Sequence, residues 1–225
     1  MEKFYKIFQK GFFSSKKSKN ENSTSLHSPL PLITISREMG SGGKSAANLI
    51  ALQLGKPWKV YDHELIDQIA KNKILEEELI KTIDPKNLPL VDIITTKTFG
   101  KRFSNLSGYQ RHLVKVMTLV GLKGHTIILG RGANFLFPHA LNIRMICWMD
   151  QRIVWEMTYE KISRGEAIKR IEESDEERRK FVKSLFNHNH AKAYHYDIVI
   201  RTGRDISIED ASNIIIDLVK RKFKI

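Results

Sequence analysis

The chain has 225 residues, 41% hydrophobic and 28% charged, the balance of a globular protein that buries a full core in one domain. A lone cysteine, Cys147, excludes an internal disulfide and a C-x-x-C metal site, and no apolar run approaches the roughly 18 residues that cross a bilayer. The net charge of +13 suits anionic small substrates, nucleic acid or an acidic membrane surface without choosing among them.

The first 30 residues read as a disordered basic extension. Residues 1–28 carry six lysines against Glu2 and Glu21, and Ser, Lys and Asn dominate their second half. The first half interleaves Phe4, Ile7, Phe8, Phe12 and Phe13 with lysines, a weak basic amphipathic pattern that a membrane surface could use. Pro29 and Pro31 close the segment, and residues 31–225 are expected to be the folded domain.

From Leu32 onward, β-branched runs alternate with helical patterns, which predicts an α/β fold with a parallel sheet flanked by helices. "LITIS" (32–36) is the first strand, and "KSAANLIALQL" (44–54) a helix stopped by Gly55. "PWKVY" (57–61) is the second strand. Asp62 then stands at an N-cap position before a long helical run in which Leu65, Ile66, Ile69 and Ile74 keep helical spacing. Residues 84–105 are polar and turn-rich, and a helix is expected over 106–122. "HTIILG" (125–130), "IRMICWM" (143–149) and "DIVIRT" (197–202) complete five strands. Charged helices over 151–164 and 166–186, broken near Gly165, fall between the last two. Ser207 and Asp210 form a capping box for a final helix over 208–222.

Between the first strand and the first helix lies "SREMGSGGKS" (36–45). In a phosphate-binding loop, glycines turn backbone N–H groups onto phosphate oxygens, and the next helix presents its positive end. Gly40, Ser41, Gly42, Gly43, Lys44, Ser45 and Ala46 are the expected nucleotide-binding residues, with Lys44 on the outer phosphates and the Ser45 hydroxyl on Mg²⁺. The full spacing wants glycine at position 38, where the chain has Glu38. In "ILGRGAN" (128–134), Arg131 follows an apolar strand between two glycines, at the sheet edge where ligands bind. In "SDEERRKF" (174–181), Arg178 and Arg179 are placed to reach phosphates from a closing segment. Asp62 is either a helix cap or an anchor for an acceptor hydroxyl. The histidines of "HNHAKAYH" (188–195) lack the acidic or thiol partners of a metal site.

"ITISREMGSGGKS", "VYDHELI", "IILGRGAN" and "SDEERR" resemble, in order, the cytidylate kinase-like branch of P-loop nucleoside monophosphate kinases. The resemblance covers about residues 32–220. It implies a P-loop NTPase-type sheet of order 2-3-1-4-5, a helical acceptor-binding region over 63–122 and a lid over 165–192. It also implies ATP and Mg²⁺, a nucleotide-like acceptor of the CMP or dCMP type, and phosphate contacts for Arg131 and Arg178, which with Lys44 of the loop are the expected catalytic residues; the lone cysteine suits a reducing, cytoplasmic compartment. The chain departs from that pattern at Gly132, where cytidylate kinases carry aspartate, and at Glu177, where many carry another arginine. Two other readings stand beside it: a kinase of another small metabolite, and a nucleotide-binding regulator without turnover. Nucleic acid fits poorly, because the folded part has no cluster of interleaved aromatic and basic residues.

Overall fold

The computed structural model describes residues 30–225. The segment read as a disordered or membrane-surface extension, residues 1–29, lies outside them. Strands β1 (Leu32–Arg37), β2 (Lys59–Tyr61), β3 (Thr126–Leu129), β4 (Leu141–Cys147) and β5 (Ile198–Thr202) form one sheet in the order β2-β3-β1-β4-β5. Every pairing is parallel. β1 lies at the centre, with Ile35 opposite Leu129 on one side and Ile143 on the other. The helices, in chain order, are α1 (Gly43–Leu54), α2 (His63–Lys71), α3 (Lys73–Lys81), α4 (Leu90–Phe99), α5 (Arg102–Asn105), α6 (Gly108–Lys123), α7 (Ala133–Leu136), α8 (Met149–Glu160), α9 (Arg164–Phe186) and α10 (Ile208–Phe223).

Strands buried on both faces explain the near-continuous apolar runs. On one face Ile33, Ile35, Ile127, Leu129 and Ile143 meet Ala46, Ala47 and Ile50 of α1 and Ile215 of α10. On the other, Leu32 and Ile128 pack with Ile66 of α2, Met117 and Val120 of α6 and Phe186 of α9. At the carboxyl edge of the sheet β1 runs into the glycine loop and β3 into Arg131.

Three boundaries differ from expectation. The run after Asp62 is two helices, because the Asn72 side chain accepts from the Ile74 and Leu75 amides and restarts the chain as α3. The segment 84–105 is not plain loop: it holds α4, whose Ile94, Thr95 and Phe99 are buried. Its β-branched composition is a poor local helix signal, so tertiary packing stabilises it. The break between the two charged helices lies at 161–163, with Lys161 left-handed and Ser163 capping α9, while Gly165 sits inside the first turn of α9. Ser207 and Asp210 make the capping box read from the sequence.

Candidate active site

The loop after β1 turns tightly into α1. Gly42 caps that helix at φ 75°, a left-handed backbone that disfavours a side chain, and a Cβ there would lie 2.6 Å from Ile208. The Ser41 hydroxyl donates inward to the Glu38 carbonyl at 2.9 Å, so Ser41 turns its side chain away from a ligand. The Ala46 side chain packs in the core under the sheet. Gly40, at φ 73°, belongs to the same turn, and Lys44 and Ser45 are exposed on the first turn of α1.

Lys44 is 62% exposed, and its ammonium lies 3.0 Å from Asp62 Oδ2 and 3.7 Å from Glu64 Oε2. Its hydrogen bond to Asp62 raises its pKa. Asp62 is occupied at both oxygens, since Oδ1 accepts from the Leu65 amide at 2.9 Å as the N-cap of α2. Burial works against the Asp62 charge, but the Leu65 amide and Lys44 outweigh it and hold the carboxyl below its usual range. Asp62 is therefore a cap and a lysine anchor, and a weak base.

Beside the loop lies a cavity of about 270 Å³ lined by Arg37, His63, Arg131, Asn134, Glu177, Arg178 and His190, among others. Three guanidinium groups converge on it from three elements: Arg37 ends β1, Arg131 follows β3, and Arg178 faces inward from α9. Arg131 pairs with Asp67 of α2 and lies 4.7 Å over the Phe181 ring. Arg178 donates to Asp175 Oδ1 at 3.2 Å. Arg37 forms no ion pair among the described residues. Burial, together with repulsion from Arg178 and Arg131, lowers its guanidinium to about 10. His190 is pushed down to about 4, chiefly by burial and then by Arg144, so it is neutral at pH 7. His63 Nδ1, Asp67 Oδ1, Arg131 Nε, Asn134 Nδ2 and His190 Nδ1 are buried with no partner. Of these, the Arg131 Nε and Asn134 Nδ2 donors, on residues lining a cavity with three guanidinium groups, suit an anion.

The residues singled out in the sequence thus divide. Arg131 and Arg178 line one cavity, Lys44 and Ser45 follow the glycine loop, and Asp62, next to the lining residue His63, holds Lys44. Arg179 is not in the cavity: it is 64% exposed on the outer face of α9 and pairs with Glu176. Arg37, His63, Asp67, Asn134, Asp175 and His190 were missed. Arg37 had a signal, since the last residue of a strand before a phosphate loop lies at the ligand edge. The others come together only through the fold. Cys147 is buried at the end of β4, and burial pushes its thiol pKa up, as suits an inert side chain.

The family model described as "Cytidylate kinase-like family" matches residues 32–204. No curated protein matches the chain. Among solved structures, an uncharacterized protein from Eubacterium ventriosum is 20% identical with a TM-score of 0.58, covering 84% of this chain and 98% of that one. TT1252 from Thermus thermophilus is 16% identical with a TM-score of 0.46, covering 85% and 98%. At such identity the first likeness speaks for the fold alone.

Proposed function

This chain belongs to the cytidylate kinase-like family, and we propose that it transfers the γ-phosphoryl group of ATP to a nucleoside monophosphate of the CMP or dCMP type. Membership supports a nucleotide kinase-type activity. The observation that carries the monophosphate is the convergence of Arg37, Arg131 and Arg178 on one cavity next to the glycine loop. An alcohol acceptor needs no such concentration of charge, whereas an acceptor phosphate does.

In this reading the amides of residues 40–45 hold the donor's outer phosphates, and Lys44 leaves Asp62 to reach them. The exposed Ser45 hydroxyl would ligate the Mg²⁺ that screens the triphosphate charge. Arg131 and Arg37 grip the acceptor phosphate. One of its oxygens, already anionic, attacks the γ-phosphorus; the bond to the β–γ bridging oxygen breaks, and ADP leaves with that electron pair. No strong base is required, which suits an Asp62 held ionised and occupied. Arg178 neutralises the transferring group.

The test is a coupled ADP-release screen over all nucleoside monophosphates and common alcohols, followed by Arg131→Lys. A point charge replaces a two-pronged donor poorly. With a charge-assisted hydrogen bond contributing about 1.5–3 kcal/mol, the acceptor KM should rise roughly tenfold to a hundredfold at about 1.4 kcal/mol per decade. The KM for ATP should stay nearly constant. ADP release with alcohols alone, or an unaltered monophosphate KM, would overturn the reading; no release with any acceptor would favour a regulator.

A further inference from the structure

A second and larger cavity, of about 560 Å³, adjoins the arginine cavity and opens between α4, α7 and the segment that follows α9. Its walls are rings: Phe99, Phe135, Phe186, His188, Tyr194 and His195. Phe135 and His188 stack with centroids 4.6 Å apart and planes 12° apart, and His195 meets Phe135 edge-on at 4.9 Å. Burial, and for His188 the nearby Arg102, lowers both imidazoles, so near neutral pH they are flat polar rings and not cations. Asn134 lines both cavities. Asn134 is 7% exposed, and its Nδ2 amide is buried with no hydrogen-bond partner.

An amide nitrogen unpaired in the interior is destabilising, and a ligand atom that accepts from it removes that cost. Rings lining a cleft favour a flat ligand through stacking and edge contacts, and a few placed polar atoms set its orientation. The arginine cavity holds fewer rings, Phe181, which Arg131 covers, with His63 and His190, and three guanidinium groups dominate it. The second cavity has rings, with Lys97 and Asp197 among its few charged lining residues.

We propose that Asn134 is a specificity-determining residue: the acceptor spans both cavities, with its phosphate among the arginines and a heteroaromatic ring between the aromatic walls, and Asn134 Nδ2 donates to the near edge of that ring. This rests on the monophosphate reading above. It assigns the acceptor to ring-bearing monophosphates and excludes simple sugar phosphates.

The test measures binding, not turnover. The full chain is titrated calorimetrically with CMP, UMP, AMP, GMP, ribose 5-phosphate and inorganic phosphate. At least one nucleoside monophosphate should bind about tenfold or more tightly than ribose 5-phosphate, the scale of one stacked base. Asn134→Ala should cut that advantage to about threefold or less while ribose 5-phosphate affinity holds. Because Asn134 is buried, His195→Ala at the cavity wall serves as a second variant expected to act in the same direction, with melting temperature as the control for folding. Equal affinity for ribose 5-phosphate and every monophosphate in the wild type overturns the proposal. So do variants that weaken ribose 5-phosphate as much as the nucleotides, or a nucleoside that binds alongside a bound monophosphate. A ring preference without ADP release would uphold this inference and sink the kinase reading; ADP release without a ring preference would do the reverse.

Discussion

Gly132 follows Arg131 at φ 68°, and a Cβ there would lie 2.6 Å from the Phe186 ring. An aspartate at this place would therefore overpack this core, since Phe186 already fills the space. Gly132→Asp should lower stability by about 2–4 kcal/mol, from left-handed backbone strain and overpacking together. A urea midpoint equal to wild type would show that the ring moves aside freely. Glu38 has a similar explanation. Its Oε2 accepts from the Cys147 amide at 3.2 Å, and the carboxylate lies 3.4 Å from Arg144 and 3.7 Å from Arg152. Position 38 is not among the left-handed residues, so nothing in the backbone requires glycine there. The departure from the usual loop spacing is a tie between β1 and β4.

The same logic extends to elements. Helix α9, in the segment expected to act as a lid, is fastened to the glycine loop through Asp175 and through Met39, which packs against the cluster of Ile153, Ala167 and Ile171. Asp175 Oδ1 accepts from the Met39 amide at 3.0 Å and from Arg178 at 3.2 Å, while Oδ2 pairs with Arg152. Arg152, 7% exposed, also donates from Nε to the Met39 carbonyl at 2.5 Å. A buried arginine that loses its partner is costly. Asp175→Asn keeps an acceptor for Met39 but removes the charge facing both arginines. It should lower unfolding free energy by about 2–4 kcal/mol in urea. It should also lower kcat more than it weakens acceptor binding, because Arg178, the group proposed to neutralise the transferring phosphoryl, loses its anchor. An unchanged midpoint would mean that the contact carries no weight in holding the helix.

Across the whole molecule, two half-buried histidines set an acid limit. His190 and His139 are each lowered to about 4, His190 by burial and then Arg144, His139 by burial and then Lys222. The unfolded chain binds their protons near pH 6.5, the folded chain only near 4, so over that interval the unfolded state holds more protons and stability rises with pH. The melting temperature should thus fall by several degrees as pH drops from about 6.5 to about 4. His190→Gln should flatten part of that slope. A wild-type melting temperature constant across the interval would contradict the assignment. The net charge of +13 adds to the acid side, since each proton bound increases self-repulsion.

By itself the sequence determined the parts that are local. β-branched runs marked the five strands, because strands buried on both faces must be apolar along their length. Glycine spacing marked the tight turn between β1 and α1, because left-handed positions restrict residue choice. Ser207 with Asp210 marked a helix start. Tertiary structure alone decided the cavity. α4 is helical by packing against α6 and the Phe186 region, which no window of its own residues reports. Arg178 and Arg179 are adjacent in sequence, yet successive helical positions point about 100° apart, so one lines the cavity and the other pairs with Glu176 in solvent. Arg37, Asp67, Asn134 and Asp175 come from separate elements and meet only because β1 and β3 end at one edge of a sheet onto which α2, α7 and α9 fold. Periodicity records which face of an element is apolar. The polar groups that share a cavity are set by the distances between elements, and those exist only in the folded chain.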